Sequence, residues 1–141
     1  MSVLRELLQR GVEMRASDVH IKANAEPIFR VSGDLVKSGF EVLTPEYLVE
    51  VIKDIMPPHM IHQYEAEHEA DFSLGEQGIG RFRVNVFNSQ GVPTIAMRHV
   101  KDAIPTFEQL RLPADLSKMA LVERGIILLA GTTGSGKSST L

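Results

Sequence analysis

Cysteine is absent from the 141 residues, which removes disulfide frameworks, thiolate zinc sites and a cysteine nucleophile together and leaves packing to hold the fold. The absence agrees with a reducing compartment. Long apolar runs are missing too. No stretch approaches the roughly 18 residues a membrane span needs, and Met1 to Gly11 set Arg5, Glu6 and Arg10 among their leucines, so a soluble cytoplasmic chain is expected. There is no basic excess, since 15 Lys and Arg stand against 18 Asp and Glu for a net charge of -3. Phosphate-backbone binding ordinarily leaves a positive surplus, so nucleic acid is not an expected partner. No internal repeat or low-complexity tract occurs. What is present, 43% apolar and 23% charged residues, is the composition of a globular protein. A chain of this length buries about 68% of the surface its unfolded form exposes, enough for one domain or one plus part of another.

Val3, Leu4, Leu7, Leu8 and Val12 recur at helical spacing, which predicts an amphipathic first helix that Gly11 weakens near its end. Ser17 to Lys22 alternates as a half-buried strand, and Ile28 to Val36 reads as a hairpin turning at Gly33. Thr44-Pro45 is an N-cap followed by proline at the first helical position, with Tyr47, Leu48, Val51, Ile52 and Ile55 as the apolar stripe behind it. Pro57-Pro58 ends that helix and starts another, which runs to the acidic residues Glu65, Glu67, Glu69 and Asp71. Three strands are expected next: a short one at Phe72 to Leu74, then Gly80 to Asn88 and Val92 to Val100, joined by a turn at Asn88-Ser89-Gln90-Gly91. Ile104 to Pro113 holds two prolines and no clean period, so it reads as a linker with a short turn around Phe107 to Leu110. Leu116, Met119 and Ala120 suggest a short helix, and Gly125 to Ala130 is a continuous apolar run of the kind found in a strand buried on both faces.

Directly after that run stands Gly131-Thr132-Thr133-Gly134-Ser135-Gly136-Lys137-Ser138, which satisfies the P-loop pattern of Gly, four residues, Gly-Lys-Ser/Thr. Glycines let backbone N–H groups curl around phosphates, a following helix adds positive potential at its N-terminus, and a flexible cation reaches the terminal phosphates. Lys137 is that cation. Gly134, Ser135, Gly136 and Ser139 are expected to supply backbone donors to ATP, and the Ser138 hydroxyl to bind Mg²⁺. Hydrolysis also needs an acidic metal ligand and a group to orient water. The residues up to Leu141 supply neither, so this stretch alone is expected not to hydrolyse ATP.

These motifs resemble, over the whole chain, those of the type II/type IV secretion ATPases, most closely the PilT-like retraction motors of type IV pili. Ala16-Ser17-Asp18-Val19-His20 is similar to the family's Ala-Ser-Asp-hydrophobic-His motif, Val31-Ser32-Gly33-Asp34 to its Val-x-Gly-Asp hairpin, and Asp71-Phe72-Ser73 to its Asp-Phe-Ser strand. Arg81-Phe82-Arg83-Val84-Asn85 is similar to its Arg-Phe-Arg-Val-Asn strand, and the P-loop departs from the family's only in Thr132, where proline is usual. The resemblance implies an α+β fold, with a PAS-like N-terminal domain (1–102) of antiparallel sheet and flanking helices, a linker (103–113), and the first strand and P-loop of a RecA-like α/β domain (114–141). It implies the N-terminal portion of a homohexameric ATPase that uses ATP and Mg²⁺ for pilus retraction and twitching motility. Such a motor works in the cytoplasm, peripherally at the inner membrane, against a pilus platform protein. Type II secretion or pilus extension use the same nucleotide machinery and stay open, as does a non-catalytic subunit-interaction module.

The resemblance also implies two catalytic arginines that contact nucleotide phosphates across the domain interface. Their spacing of fifteen fits Arg83 and Arg98, with Arg81 competing for the first place. Guanidinium forks suit phosphate geometry, and neighbouring strands can aim two at one point. Other constellations lead nowhere: His59 and His62 have helical spacing but no thiolate or third ligand beside them. Ser17, Asp18 and His20 follow one another too closely on a strand for a hydrolytic relay and are expected to serve packing or a domain-edge hydrogen bond.

Overall fold

Ser2 caps the first helix, α1 (Val3–Glu13), its hydroxyl accepting from the Arg5 amide at 3.3 Å. The helix turns Leu4, Leu7 and Leu8 inward. The computed structural model describes residues 2–100, 105–132 and 135–140. The chain divides into two units, Met1–Asp102 and Ala103–Leu141.

The first unit is an α+β domain built on a six-stranded, wholly antiparallel sheet in the order β3-β2-β1-β6-β5-β4. The strands are β1 (Asp18–Lys22), β2 (Ile28–Val31), β3 (Asp34–Lys37), β4 (Glu69–Glu76), β5 (Gly80–Ser89) and β6 (Val92–Val100). The two tight hairpins follow from left-handed dipeptides. Ser32-Gly33 (φ 52 and 97) joins β2 to β3, and Gln90-Gly91 (φ 56 and 78) joins β5 to β6, a backbone twist that suits adjoining strands and that glycine adopts without steric cost. Helix α2 (Pro45–Ile55) begins as Thr44-Pro45 predicts, with the Thr44 hydroxyl accepting from the Tyr47 amide at 3.3 Å. A 3₁₀ turn (Pro58–Met60) then leads into α3 (Ile61–Glu67), which His68 ends in a left-handed conformation.

Alternation along the strands sends Val19, Ile21, Phe29, Phe72, Phe82, Val84, Val86, Ile95 and Met97 to one face, where they form one core with Leu4, Leu7 and Leu8 of α1 and Leu48 and Ile52 of α2. Gly11 has a packing role: a Cβ there would lie 3.2 Å from Val19 Cγ2, so its lack of a side chain lets α1 approach β1 closely. Arg5 of α1 forms an ion pair with Glu76 and donates to the Gln77 carbonyl at 2.8 Å, which ties the helix to the β4–β5 turn.

Two expectations change here. β4 is longer than Phe72 to Leu74, and the acidic run is not one solvated helix end: Glu65 and Glu67 lie in α3, whereas Glu69 and Asp71 lie on β4. The left-handed residue His68 divides them.

In the second unit, Thr106 and Gln109 satisfy each other reciprocally: the Thr106 amide donates to Gln109 Oε1 (2.9 Å) and the Gln109 amide to Thr106 Oγ1 (3.2 Å). This pair fixes the turn expected around Phe107 to Leu110. Helix α4 (Asp115–Met119) and the single turn α5 (Lys137–Thr140) follow. The strand expected at Gly125 to Ala130 does not form. Ile126, Ile127 and Leu128 are exposed, and no described residue pairs with this run in a ladder. A parallel-sheet strand needs neighbours on both edges and cover on both faces, and among the described residues the run 125–130 has no ladder partner. Among the described residues, no helix is long and apolar enough to cross a membrane.

Candidate functional site

The sheet face opposite the core is charged, and its order follows from register. Asp18 of β1 stands between Arg30 of β2 and Arg98 of β6, and Arg98 stands opposite Arg83 of β5, which stands opposite Ser73 of β4. The two arginines picked out by their spacing are therefore a direct cross-strand pair. Like charges so placed repel, and each is matched by a carboxylate on the same face. Arg98 Nε donates to Asp18 Oδ1 at 2.9 Å. Arg83 grips Asp71 through Nη2 at 2.6 Å and Nε at 3.1 Å. His20 and Asn85 complete a shallow hollow of about 280 Å³ lined by Asp18, Asp71, Arg83 and Arg98.

The two carboxylates differ in setting. Asp18 is only 8% exposed; it accepts the Ser17 hydroxyl at 2.8 Å, and Arg30 Nε stands 3.6 Å from its second oxygen. Burial pushes the Asp18 carboxyl up, but hydrogen bonds from Ser17 and Arg98 and the charges of Arg98 and His20 outweigh it and leave it below the ordinary 3.8. Asp71 lies in the open, and the hydrogen bonds and charge of Arg83 hold it below the same value. The Nε2 atom of His20 is buried and makes no hydrogen bond among the described residues.

Packing or a domain-edge hydrogen bond was expected of Ser17, Asp18 and His20; the Ser17 hydroxyl donates to Asp18 within a network that includes Arg98 and Arg30. Asp18 and Asp71 as partners of the arginine pair, and Arg30 beside Asp18, were not foreseen. The alternation Asp18-Val19-His20 marks their shared face, but only strand register shows which arginines meet them. Arg81 stands one rung further along β5, opposite Val100 and Gly75.

The second group of residues is the glycine-rich loop. A Cβ on Gly131 would lie 2.6 Å from Ser135 Oγ and 3.3 Å from Ser135 Cβ, so the loop closes tightly on itself there. Gly136 has φ 89, a left-handed value that favours glycine. The Ser135 amide donates to the Thr132 carbonyl at 3.2 Å, and the same carbonyl accepts the Lys137 ammonium at 2.6 Å, folding the lysine across the loop. The Ser139 and Thr140 amides both donate to the Gly136 carbonyl, at 3.1 and 3.0 Å, and open α5. Thr133 and Gly134 lie outside the described residues. A cramped glycine, a left-handed glycine and a retractable cation fit a phosphate cradle. Among the described residues, no group of three or more His, Asp or Glu could hold a metal ion. Ser138, exposed on α5, offers one hydroxyl.

Two curated relatives from Pseudomonas aeruginosa match nearly the whole chain. The type IV pilus ATPase PilU is 35% identical over 136 residues, covering 96% of this chain and 36% of PilU. The type IV pilus retraction ATPase PilT is 35% identical over 138 residues, covering 98% of this chain and 40% of PilT. The crystal structure of the pilus retraction motor PilT with bound ADP superposes with a TM-score of 0.84 at 35% identity, over 99% of this chain and 41% of that one. Over nearly its whole length the chain is similar to PilT-like type IV pilus ATPases. It spans about two fifths of the length of these relatives, and its α+β sheet domain corresponds to the N-terminal region of PilT-like ATPases. No model of a known protein family matches it. In this PilT-like chain the charged sheet face and the glycine-rich loop belong to different units.

Proposed function

We propose that this chain is the N-terminal part of a hexameric motor ATPase that retracts type IV pili and so drives twitching motility. The observation behind the proposal is the backbone match to the retraction motor PilT, whose crystal structure holds ADP. On this reading 1–102 is the PAS-like domain, 103–113 the linker and 114–141 the start of the RecA-like ATPase domain.

Backbone amides of the loop from Gly131 to Ser139 bind the nucleotide phosphates. Lys137, which now donates to the Thr132 carbonyl, would turn its ammonium to the terminal phosphate oxygens. The Ser138 hydroxyl would help to hold Mg²⁺, which would supply neutralisation of phosphate charge. Arg83 and Arg98 are the catalytic arginines of this reading, two guanidinium forks of the kind that grip phosphate oxygens. Contacts that differ between ATP and ADP then bias the arrangement of domains, the requirement of any ligand-driven switch. The motor works at the cytoplasmic face of the inner membrane against a platform protein of the pilus.

Titration calorimetry with a non-hydrolysable ATP analogue and Mg²⁺ tests the nucleotide site. Lys137→Ala is expected to weaken binding at least about tenfold, the equivalent of roughly 1.4 kcal/mol. In the longer protein that carries this segment, the same substitution stops ATP turnover and pilus retraction. Unchanged turnover and retraction in that variant would sink the proposal.

A further inference from the structure

The two arginines of the sheet face are paired with carboxylates in opposite ways. Arg98 uses only Nε to hold Asp18. Among the described residues its two terminal nitrogens donate no hydrogen bond, and its side chain is 71% exposed. Its anchor is nearly buried and is shared with Ser17 and Arg30, so the guanidinium has a fixed stem and an open fork. Arg83 is the reverse. Asp71 occupies Nε and one N–H of Nη2, the side-on edge that a phosphoryl group can take bidentately, and leaves the Nη1 end free; both partners are open to solvent, at 67% and 43% exposed. An exposed pair of this kind is weak and exchangeable; a buried, multiply bonded carboxylate is not.

We propose that Asp71 is a positioning residue that latches Arg83: a phosphate docks first on the preset fork of Arg98 and takes the Nε–Nη2 edge of Arg83 only by displacing the Asp71 carboxylate. This rests on the reading of Arg83 and Arg98 as phosphate ligands. Asp71 lowers affinity for the anion and keeps two facing guanidinium groups from repelling one another while no anion is present. Asp18 keeps its place throughout. The latch makes engagement of the second arginine conditional on the charge of the incoming group, because a phosphate with more negative charge competes better with a carboxylate.

Tripolyphosphate is a suitable probe, read on the 141-residue chain through the Nε–Hε correlations of Arg83 and Arg98 in ¹H–¹⁵N spectra. In the wild-type chain tripolyphosphate shifts the Arg83 resonance strongly and that of Arg98, still bonded to Asp18, weakly. Asp71→Asn moves the Arg83 resonance before any ligand is added and tightens tripolyphosphate binding roughly two- to fivefold, as expected for loss of a weak competing pair. Asp71→Glu restores part of the latch, and Arg83→Ala with Arg98→Ala weakens binding. Equal or weaker binding by Asp71→Asn, in a series where the arginine variants do lose affinity, overturns the latch alone. Wild-type binding by the double arginine variant, or no binding by either the wild-type chain or Asp71→Asn, overturns the phosphate reading and the latch with it.

Discussion

Replacing Asp18 by Asn keeps the shape of the side chain and removes its charge, which isolates what that carboxylate does for the sheet. The wild-type group is 8% exposed and holds the Ser17 hydroxyl at 2.8 Å and Arg98 Nε at 2.9 Å, with Arg30 Nε at 3.6 Å. A hydrogen bond to a charged group contributes about 1.5–3 kcal/mol when shielded. Arg98 is largely in solvent, so its share is discounted to about 0.5–1 kcal/mol. The Arg30 contact is too long to add a hydrogen bond, and the amide keeps part of the Ser17 interaction. The expected loss at neutral pH is about 1–2 kcal/mol, or about 5–10 °C in Tm for a unit of this size. Because folding lowers the Asp18 pKa, its contribution is present above the unfolded value near 3.8 and fades as pH falls through the lower folded value. Urea unfolding of both chains across that range should show a gap that closes in acid. A gap that persists unchanged below the folded pKa, or no gap at neutral pH, would refute the electrostatic account of this residue.

Two further substitutions test the fold itself. Phe29→Ala removes a fully buried ring from β2 and is expected to cost about 3–5 kcal/mol, seen as a large drop in urea midpoint; a change below 1 kcal/mol, on the order of a surface mutation, would mean the core is centred elsewhere. Gly33→Ala places a Cβ where nothing lies within 4 Å but where φ is 97, so a loss of about 1–2 kcal/mol from backbone strain alone is expected, with an unchanged denaturant slope. A stabilised Gly33→Ala chain would contradict the left-handed turn.

Elements whose signals are local were legible in the sequence. Thr44-Pro45 marked the start of α2, and alternation from Phe82 to Met97 separated the two faces of β5 and β6, because capping and pleat periodicity act over a few residues. Spacing also marked Arg83 and Arg98, and register then set them opposite each other. The carboxylate partners were not legible in the same way: Arg98 lies 80 positions beyond Asp18, and only strand pairing brings them together. Asp71 stood both at the end of the acidic run from Glu65 and at the head of Asp71-Phe72-Ser73, and neither signal names Arg83 as its partner. The apolar run Gly125 to Ala130 has the composition of a buried strand, but a strand exists only through its neighbours, and none pairs with it among the described residues.

The strand order β3-β2-β1-β6-β5-β4 consists of two meanders, each contiguous in the chain, that meet along one seam between β1 and β6. Within a meander, each strand finds its partner across a connection short enough to close readily. The seam must close a far longer loop and meets the larger entropic cost. Asp18 and Arg30 come from the first meander, while Asp71, Arg83 and Arg98 come from the second. Pairing of Asp71 with Arg83 is therefore a property of one half of the sheet, available as soon as β4 and β5 zip together. The union of Asp18 with Arg98 spans the seam and exists only once the halves have met. The charged face is therefore completed by the same contact that completes the sheet.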